Sequence, residues 1–338
     1  MVRDWRKILF GLAIGALFLA LAFRRVDLTV LVRELAGFNP WWLPLFVVCH
    51  LTSLVLRSWR WQGIVGPVRP VGLGVLFPIT VRGFLISNLV PMKAGDLYRF
   101  YALSRQTGLE KATAVGTLVV ERLADLIGLV LLSVALALML DLPPAIHRAL
   151  VWLGVAAGVV VVLWWSVRRL PALADRFNRM KRYLATWVEH SPVGRVMVNL
   201  RQGFAVMKDR RQWVAILART ALIFLTVALG ILAILRGFGL VVISPLASLA
   251  LLVFIFWTSV LPQAPAGLGT FEYATILALQ LFGVGRETAL ASALVLHAGV
   301  IVNLLVISGI TFLLQGSSRR ATVPVAVDPA VEVEGPQL

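Results

Sequence analysis

Charge is scarce in this sequence. Only 14% of its 338 residues are Asp, Glu, Lys or Arg, against 59% hydrophobic, and the mean hydropathy is +0.90. A soluble domain of this length needs far more charge to cover its surface, so a single soluble domain is excluded. Acidic residues are scarcer still: 16 Asp and Glu stand against 32 Lys and Arg, a net charge of +16. With one cysteine, Cys49, no intramolecular disulfide forms and the redox compartment is unreadable. No Walker loop, dinucleotide fingerprint or paired metal-ligand motif occurs in a usable context, and four scattered histidines do not make a metal site. No cofactor, no metal and no catalytic residue is therefore expected.

What is present is a succession of apolar runs of about 20 residues, the length that spans a bilayer core. Eight segments read as spanning or hairpin-forming: Ile8–Phe23, Trp41–Arg57, Val71–Val90 with a short amphipathic piece to Arg105, Thr113–Leu140, Ala145–Val167, Trp213–Arg236, Ser244–Leu261 with Thr270–Phe282, and Thr288–Leu314. Ile8–Phe23 imitates a signal peptide, but Arg24 and Arg25 follow at once and it reads as an uncleaved first helix. The fold class is an all-α polytopic membrane protein, with an integral membrane domain over residues 1–316 and a disordered tail over 317–338.

The basic residues gather at the ends of apolar runs and in Arg168–Arg211, a cytoplasmic loop whose Leu173, Phe177, Met180, Leu184 and Trp187 recur at helical spacing and suit an interfacial helix. That distribution suits a membrane face with anionic lipids rather than nucleic acid. With the loop inside, counting outward places both termini in the cytoplasm, although Arg24, Arg25 and Arg33 then lie in an external loop.

Two apolar runs end alike. Ser87-Asn88-Leu89-Val90-Pro91 and Thr258-Ser259-Val260-Leu261-Pro262 each lead into a Gly-containing loop, an acidic residue (Asp96, Glu272), an aromatic and a short second segment. Both units read as re-entrant hairpins between fuller helices, the first entering from the cytoplasm and the second from outside. That is an inverted repeat, whose broken segments mark a substrate site near the midplane.

Charges at the bilayer centre cost about 2.5–3.5 kcal/mol each on insertion scales and need partners or water. Glu121 and Asp125 share a helix face, and Arg122 lies three residues from Asp125, within pairing distance. The trio is either a structural ion pair or a ligand site. His50, Ser53, Arg57 and Arg60 follow one another at spacings of three and four. The two arginines read as snorkelling anchors at the cytoplasmic head groups or as bidentate phosphate ligands. Arg82, Lys93, Asp96 and Arg99 cluster on the first hairpin, where Asn88 is a further candidate ligand. Glu272 opens the short segment of the second, where a carboxylate also suits the helix dipole. His297 and Asn303 read as interhelical hydrogen-bonders.

Arg57-Ser58-Trp59-Arg60-Trp61, Asn88 through Asp96, Glu121-Arg122-Leu123-Ala124-Asp125 and Leu261-Pro262 through Glu272 stand in an order that resembles the lysylphosphatidylglycerol synthase transmembrane-region family, also called the flippase-like domain or uncharacterised protein family 0104. The resemblance covers nearly the whole chain before the tail. Asp96 stands where the family usually has Glu, and Ala266 where it usually has Gly. The resemblance implies lipid translocation. In two-part members this region is similar to a flippase for aminoacylated phosphatidylglycerol fused to a soluble transferase, for which this chain leaves no room; standalone relatives have been tied to polyprenyl-linked sugars and hopanoids.

The expectation is a cytoplasmic-membrane transporter, not an enzyme, moving an anionic or modified phospholipid or a lipid-linked head group. Arg57, Arg60, Lys93 and Arg99 would hold the anion, and Asp96, Glu121, Asp125 and Glu272 would meet amines, hydroxyls or protons. The alternative is a membrane-embedded enzyme or accessory subunit modifying a lipid or polyprenyl carrier, and a non-transporting scaffold is a third reading. Membrane lipids are the expected partners, with room for a second copy of the chain and a separate lipid-modifying enzyme.

Overall fold

The computed structural model describes residues 5–90, 94–140, 209–241, 244–258 and 264–320, with short helical pieces between 144 and 162. The expected segment Ala145–Val167, most of the loop Arg168–Arg211, the tail beyond Arg320 and both hairpin tips (91–93 and 259–263) fall wholly or partly outside those residues. Among the described residues every regular element is helical. We number the helices α1 (Trp5–Phe23), α2 (Leu28–Ala36), α3 (Leu43–Val65), α4 (Leu73–Leu89), α5 (Ala94–Thr107), α6 (Lys111–Met139), α7 (Arg210–Gly237), α8 (Leu246–Thr258), α9 (Thr270–Gln280) and α10 (Arg286–Arg320). Four of them, α3 with its preceding turn, α6, α7 and α10, are long and apolar enough to cross a membrane. Their outer faces carry exposed Leu, Val, Ile and Phe, as in Val302, Leu305, Val306, Ile310 and Phe312 of α10. A surface this apolar suits lipid, not water.

Two boundaries depart from expectation. The second segment does not end at Arg57; α3 continues two further turns to Val65, carrying Arg57 and Arg60 into the bundle. The stretch taken as an external loop contains α2, a nine-residue helix whose first turn is capped by the Asp27 carboxylate accepting from the Thr29 and Val30 N–H groups.

Helices α3–α6 and α7–α10 form two sets with the same order: long helix, two short helices, long helix. Their contacts correspond one for one. Helix α3 meets α4 and α7 meets α8; α4 meets α5 and α8 meets α9; α5 meets α6 and α9 meets α10. Across the sets, α4 packs on α10 as α8 packs on α6, and α3 and α7 pack on each other. Exchanging the two sets leaves the pattern of packed pairs unchanged. Helix α1 stands outside this scheme and packs on α9 and the turn Pro265–Gly267.

Close approach within the hairpins depends on glycine. A Cβ added at Gly95 of α5 would fall on the Gly83 carbonyl oxygen and Ser87 Oγ of α4, and one at Gly83 would strike the Arg99 side chain. Small residues let helix backbones touch where no hydrophobic drive holds helices together in lipid. Gly95→Val should therefore force α4 and α5 apart, at about 1–3 kcal/mol for overpacking, and lower the melting temperature in mild detergent. Gly74→Ala, in α4 and with nothing within 4 Å of the added Cβ, should melt as the parent does. Equal melting of the two variants would show that the hairpin does not need the contact. In the second hairpin Gly267 and Gly269 adopt φ of 72° and 84°, and Ala266 shares the left-handed region at φ 60°. For an alanine that conformation costs about 1–2 kcal/mol.

Candidate functional site

The charged residues of the first set come from three helices and meet inside the bundle. Arg60 of α3 is fully buried; its Nη1 donates to Asp125 Oδ1 of α6 at 2.6 Å and to Thr220 Oγ1 of α7 at 2.8 Å. Its Nη2 lies 3.7 Å from Glu121 Oε1. Arg99 of α5 grips Glu121 with both terminal nitrogens, at 2.9 and 2.7 Å. This fork is the strong geometry for a guanidinium and a carboxylate. The same guanidinium lies over the Trp61 ring, 4.3 Å from its centroid.

Asp96 Oδ1 lies 3.9 Å from Arg99 and accepts from Arg122 Nη2 at 2.6 Å, and Arg122 Nη1 is 3.6 Å from Asp125 Oδ2. Traced in order, Arg122, Asp96, Arg99, Glu121, Arg60 and Asp125 form a closed ring of alternating sign. Three guanidiniums meet three carboxylates, and the ring neutralises itself. The expected partnership of Arg122 with Asp125 is the longer one here. Asp125 turns to Arg60 and Arg122 to Asp96, because the convergence of α3, α5 and α6 offers shorter partners than the turn of α6 itself.

Arg57 is left over. It lies three residues before Arg60 on α3, is 7% exposed, and among the described residues has no carboxylate within salt-bridge distance. Its guanidinium stacks near the rings of Phe84 and Phe256, at 5.1 and 6.0 Å. It faces a cavity of about 190 Å³ walled by helices α3, α4, α7, α8, α9 and α10. Most of the wall is apolar, from Phe46, Leu54, Ile231, Leu252 and their neighbours; His50, Ser53, Asn88 and Thr226 supply its polar groups.

These polar groups are already oriented. Asn303 Nδ2 lies 2.9 Å from His50 Nδ1, with the Val47 carbonyl as its other acceptor, so Nδ1 accepts and the neutral ring carries its proton on Nε2. Ser53 Oγ donates to the His50 carbonyl at 2.7 Å, and Asn88 Nδ2 to the Phe84 carbonyl at 2.8 Å. The face of α3 that carries His50, Ser53 and Arg57 is thus the cavity wall, and burial replaces the head-group contact that snorkelling would have required. Lys93 lies outside the described residues.

Glu272 is separate from the ring. Its Oε2 accepts the Gly269 N–H at 2.6 Å, satisfying the start of α9, and its Oε1 is 2.6 Å from His297 Nδ1 on α10. The pair occupies positions equivalent to Asp96 and Arg122: in each set the third residue of the second short helix meets the twelfth residue of the following long helix. Of the residues singled out in the sequence, the structure thus joins Arg60, Asp96, Arg99, Glu121, Arg122 and Asp125, places Arg57 and Asn88 on the cavity, and sets Glu272 apart. The aromatic shelf of Phe84 and Phe256 and the Thr220 acceptor carried no signal in the sequence, since each looks like an ordinary membrane-helix residue until the helices are packed; Trp61 stood in a quoted motif, but its place under Arg99 was not legible. Among the described residues no group of His, Cys, Asp and Glu has the arrangement to hold a metal ion.

Comparison with known proteins agrees with the residues that carry the resemblance. The family model described as the lysylphosphatidylglycerol synthase TM region matches residues 8–309. The chain is similar to the UPF0104 membrane protein MJ1078 of Methanocaldococcus jannaschii, at 30% identity over 61% of this chain and 83% of that protein. It is also similar to the UPF0104 membrane protein MJ1595 of the same organism, at 22% over 84% and 87%. Glycosyltransferase AglD of Haloferax volcanii is 26% identical over 96% of this chain, which spans 56% of AglD. This multi-pass membrane protein belongs to the lysylphosphatidylglycerol synthase transmembrane-region family.

Proposed function

We propose that this protein moves an anionic lipid head group between the leaflets of the cytoplasmic membrane. One observation carries the reading: a buried arginine, with no carboxylate in salt-bridge distance among the described residues, faces a cavity walled by both helix sets. An unpaired buried charge is expensive, and a bound counter-charge is the ordinary reason for keeping one. The cavity lies where α3 and α4 of one set meet α7, α8, α9 and α10. The correspondence of packed pairs supports reading the sets as an inverted repeat with α4–α5 and α8–α9 as re-entrant hairpins, the architecture in which substrate sits between the sets. In this reading the acyl chains stay in lipid and only the head group crosses the interior. Both termini are cytoplasmic, and a second copy of the chain or a separate lipid-modifying enzyme completes the assembly.

The test is leaflet exchange in proteoliposomes containing a trace of labelled phosphatidylglycerol. Exchange should be faster than in protein-free vesicles, with the lipid chemically unchanged. Conversion of the lipid without exchange would favour the second reading, a membrane enzyme or accessory subunit acting on a lipid carrier. The likeness to a protein named as a glycosyltransferase gives that second reading its support.

A further inference from the structure

We infer that Arg219 of α7 and Trp59 of α3 form a second lipid site, on the outer face of the bundle, that holds the phosphodiester of a membrane phospholipid. The site is separate from the cavity, and its occupancy does not depend on lipid crossing the interior.

Helix α7 begins at Arg210, so Arg219 stands about 13.5 Å along it at 1.5 Å per residue. The next residue, Thr220, accepts from Arg60 of the buried ring. Arg219 is therefore level with the ring but lies toward the outside, between the exposed Ala218 and Leu222. Trp59 belongs to the outer stripe of α3, with Val48, Leu51 and Val55 at spacings of three and four. The two side chains meet in the seam where α3 and α7 pack together.

A cation at this depth needs a partner. Among the described residues no carboxylate lies within salt-bridge distance of Arg219. Its guanidinium lies over the Trp59 ring, 4.0 Å from the centroid, and Nη1 donates to the Trp59 carbonyl at 3.3 Å. The indole sets the plane of the guanidinium and the carbonyl occupies one of its ends. The Nε and Nη2 edge remains, and two parallel N–H groups on one edge match two phosphate oxygens. Gly63, one turn after Trp59, makes this pose possible, because a Cβ there would fall on Arg219 Nη1.

The surroundings fit a lipid better than a soluble anion. Toward the middle of both helices the seam continues as Val55 and Leu51 of α3 and Leu222 and Leu225 of α7, all exposed, a track for an acyl chain. Toward the start of α7 the exposed Arg210 and Arg211 make the approach positive, which draws anionic head groups. A phosphate on Arg219 thus has its chain on an apolar track and its polar end at a basic rim.

Native mass spectrometry of the full chain, released from mild detergent and titrated with phosphatidylglycerol, tests the site. Arg219→Met should weaken the binding of one lipid at least about tenfold. Gly63→Ala should weaken the same lipid by displacing Nη1, while Trp59→Phe, which keeps a ring under the guanidinium, should retain most of it. If Arg219→Met does not fold, Arg219→Gln makes the same comparison. Diacylglycerol, which has the chains but no phosphate, should bind parent and Arg219→Met alike, and inorganic phosphate in large excess should not displace phosphatidylglycerol. Equal phosphatidylglycerol binding by the parent and a folded Arg219 variant would overturn the inference and leave the stack as a fastening between α3 and α7. Diacylglycerol binding as tight as phosphatidylglycerol would overturn the role of the phosphate. Displacement by inorganic phosphate would mark a soluble-anion site and overturn the assignment to a lipid.

Discussion

Glu121→Gln should cost about 3–5 kcal/mol. Glu121 is fully buried and is the carboxylate that both Arg99 and Arg60 reach, the first by two hydrogen bonds and the second at 3.7 Å. An amide in its place accepts one hydrogen bond but carries no charge, so two guanidiniums share the interior with one carboxylate fewer. Stabilities of folded proteins lie near 5–15 kcal/mol, so a loss of this size leaves little folded material. Size-exclusion recovery and thermal melting in mild detergent measure it. The paired change Arg99→Met, Glu121→Leu removes one charge of each sign and leaves Arg60 with Asp125 and Thr220, and Arg122 with Asp96. It should recover most of the loss, since well-packed apolar replacements of a buried ion pair are neutral or better. The opposite side of the ring provides the contrast. Arg122 and Asp96 have side chains 46% and 24% exposed, so Asp96→Asn should cost about 1 kcal/mol or less. If Glu121→Gln melts with the parent, the ring is not what fastens α3, α5 and α6 together.

The ring also shows where sequence reasoning succeeded and where it could not reach. The all-helical class and the presence of membrane-spanning helices follow from hydropathy, because lipid allows so few structures across it. Every ring member was picked out as an ionisable candidate, four of them in apolar runs and Asp96 and Arg99 on the first hairpin. Their partners were not legible. Arg60 and Asp125 are 65 residues apart, and Arg99 and Glu121 lie on different helices. On one helix the spacing rule favours Arg122 with Asp125, and only the crossing of α5 brings Asp96 closer. The same blindness shortened α3. A charged residue near the end of an apolar run reads as the membrane edge, whereas Arg57 and Arg60 sit inside because packed neighbours compensate one and a cavity receives the other. Helix α2 was read as loop because nine residues bearing Arg33 and Glu34 look like an exposed connection.

The equivalence of Asp96–Arg122 and Glu272–His297 adds a physical argument about the two hairpins. Each second short helix is tied through an acid in its first turn to the next long helix, at 2.6 Å in both sets. In the first set the acid meets an arginine, with five N–H donors on a planar fork; in the second it meets a single ring nitrogen of a histidine. The two hairpins therefore share a fastening position but not a fastening strength, and α1 packed on α9 and on the turn before it supplies support that the second hairpin would otherwise lack.

Arg57→Met should do the opposite of Glu121→Gln, holding or raising stability while lowering phosphatidylglycerol exchange on the order of 100-fold. Among the described residues the guanidinium has no carboxylate within salt-bridge distance; its direct contacts are two phenyl rings, worth about 0.5–2 kcal/mol. A thioether of similar reach fills the same space without the desolvation cost, so the melting temperature should equal or exceed that of the parent. Transport loses the cation that, among the described residues, faces the cavity, and with it the pairing that lowers the cost of carrying an anionic head group through the bundle. Arg57→Lys separates charge from shape: a point charge without the planar fork should keep part of the exchange and fall between the two. Exchange rates in vesicles and melting curves in detergent, taken on the same preparations, decide the matter. A stable Arg57→Met that exchanges lipid at the parental rate would show that the buried cation has no part in transport, and an unstable one would place Arg57 among the structural charges with Arg60 and Arg99.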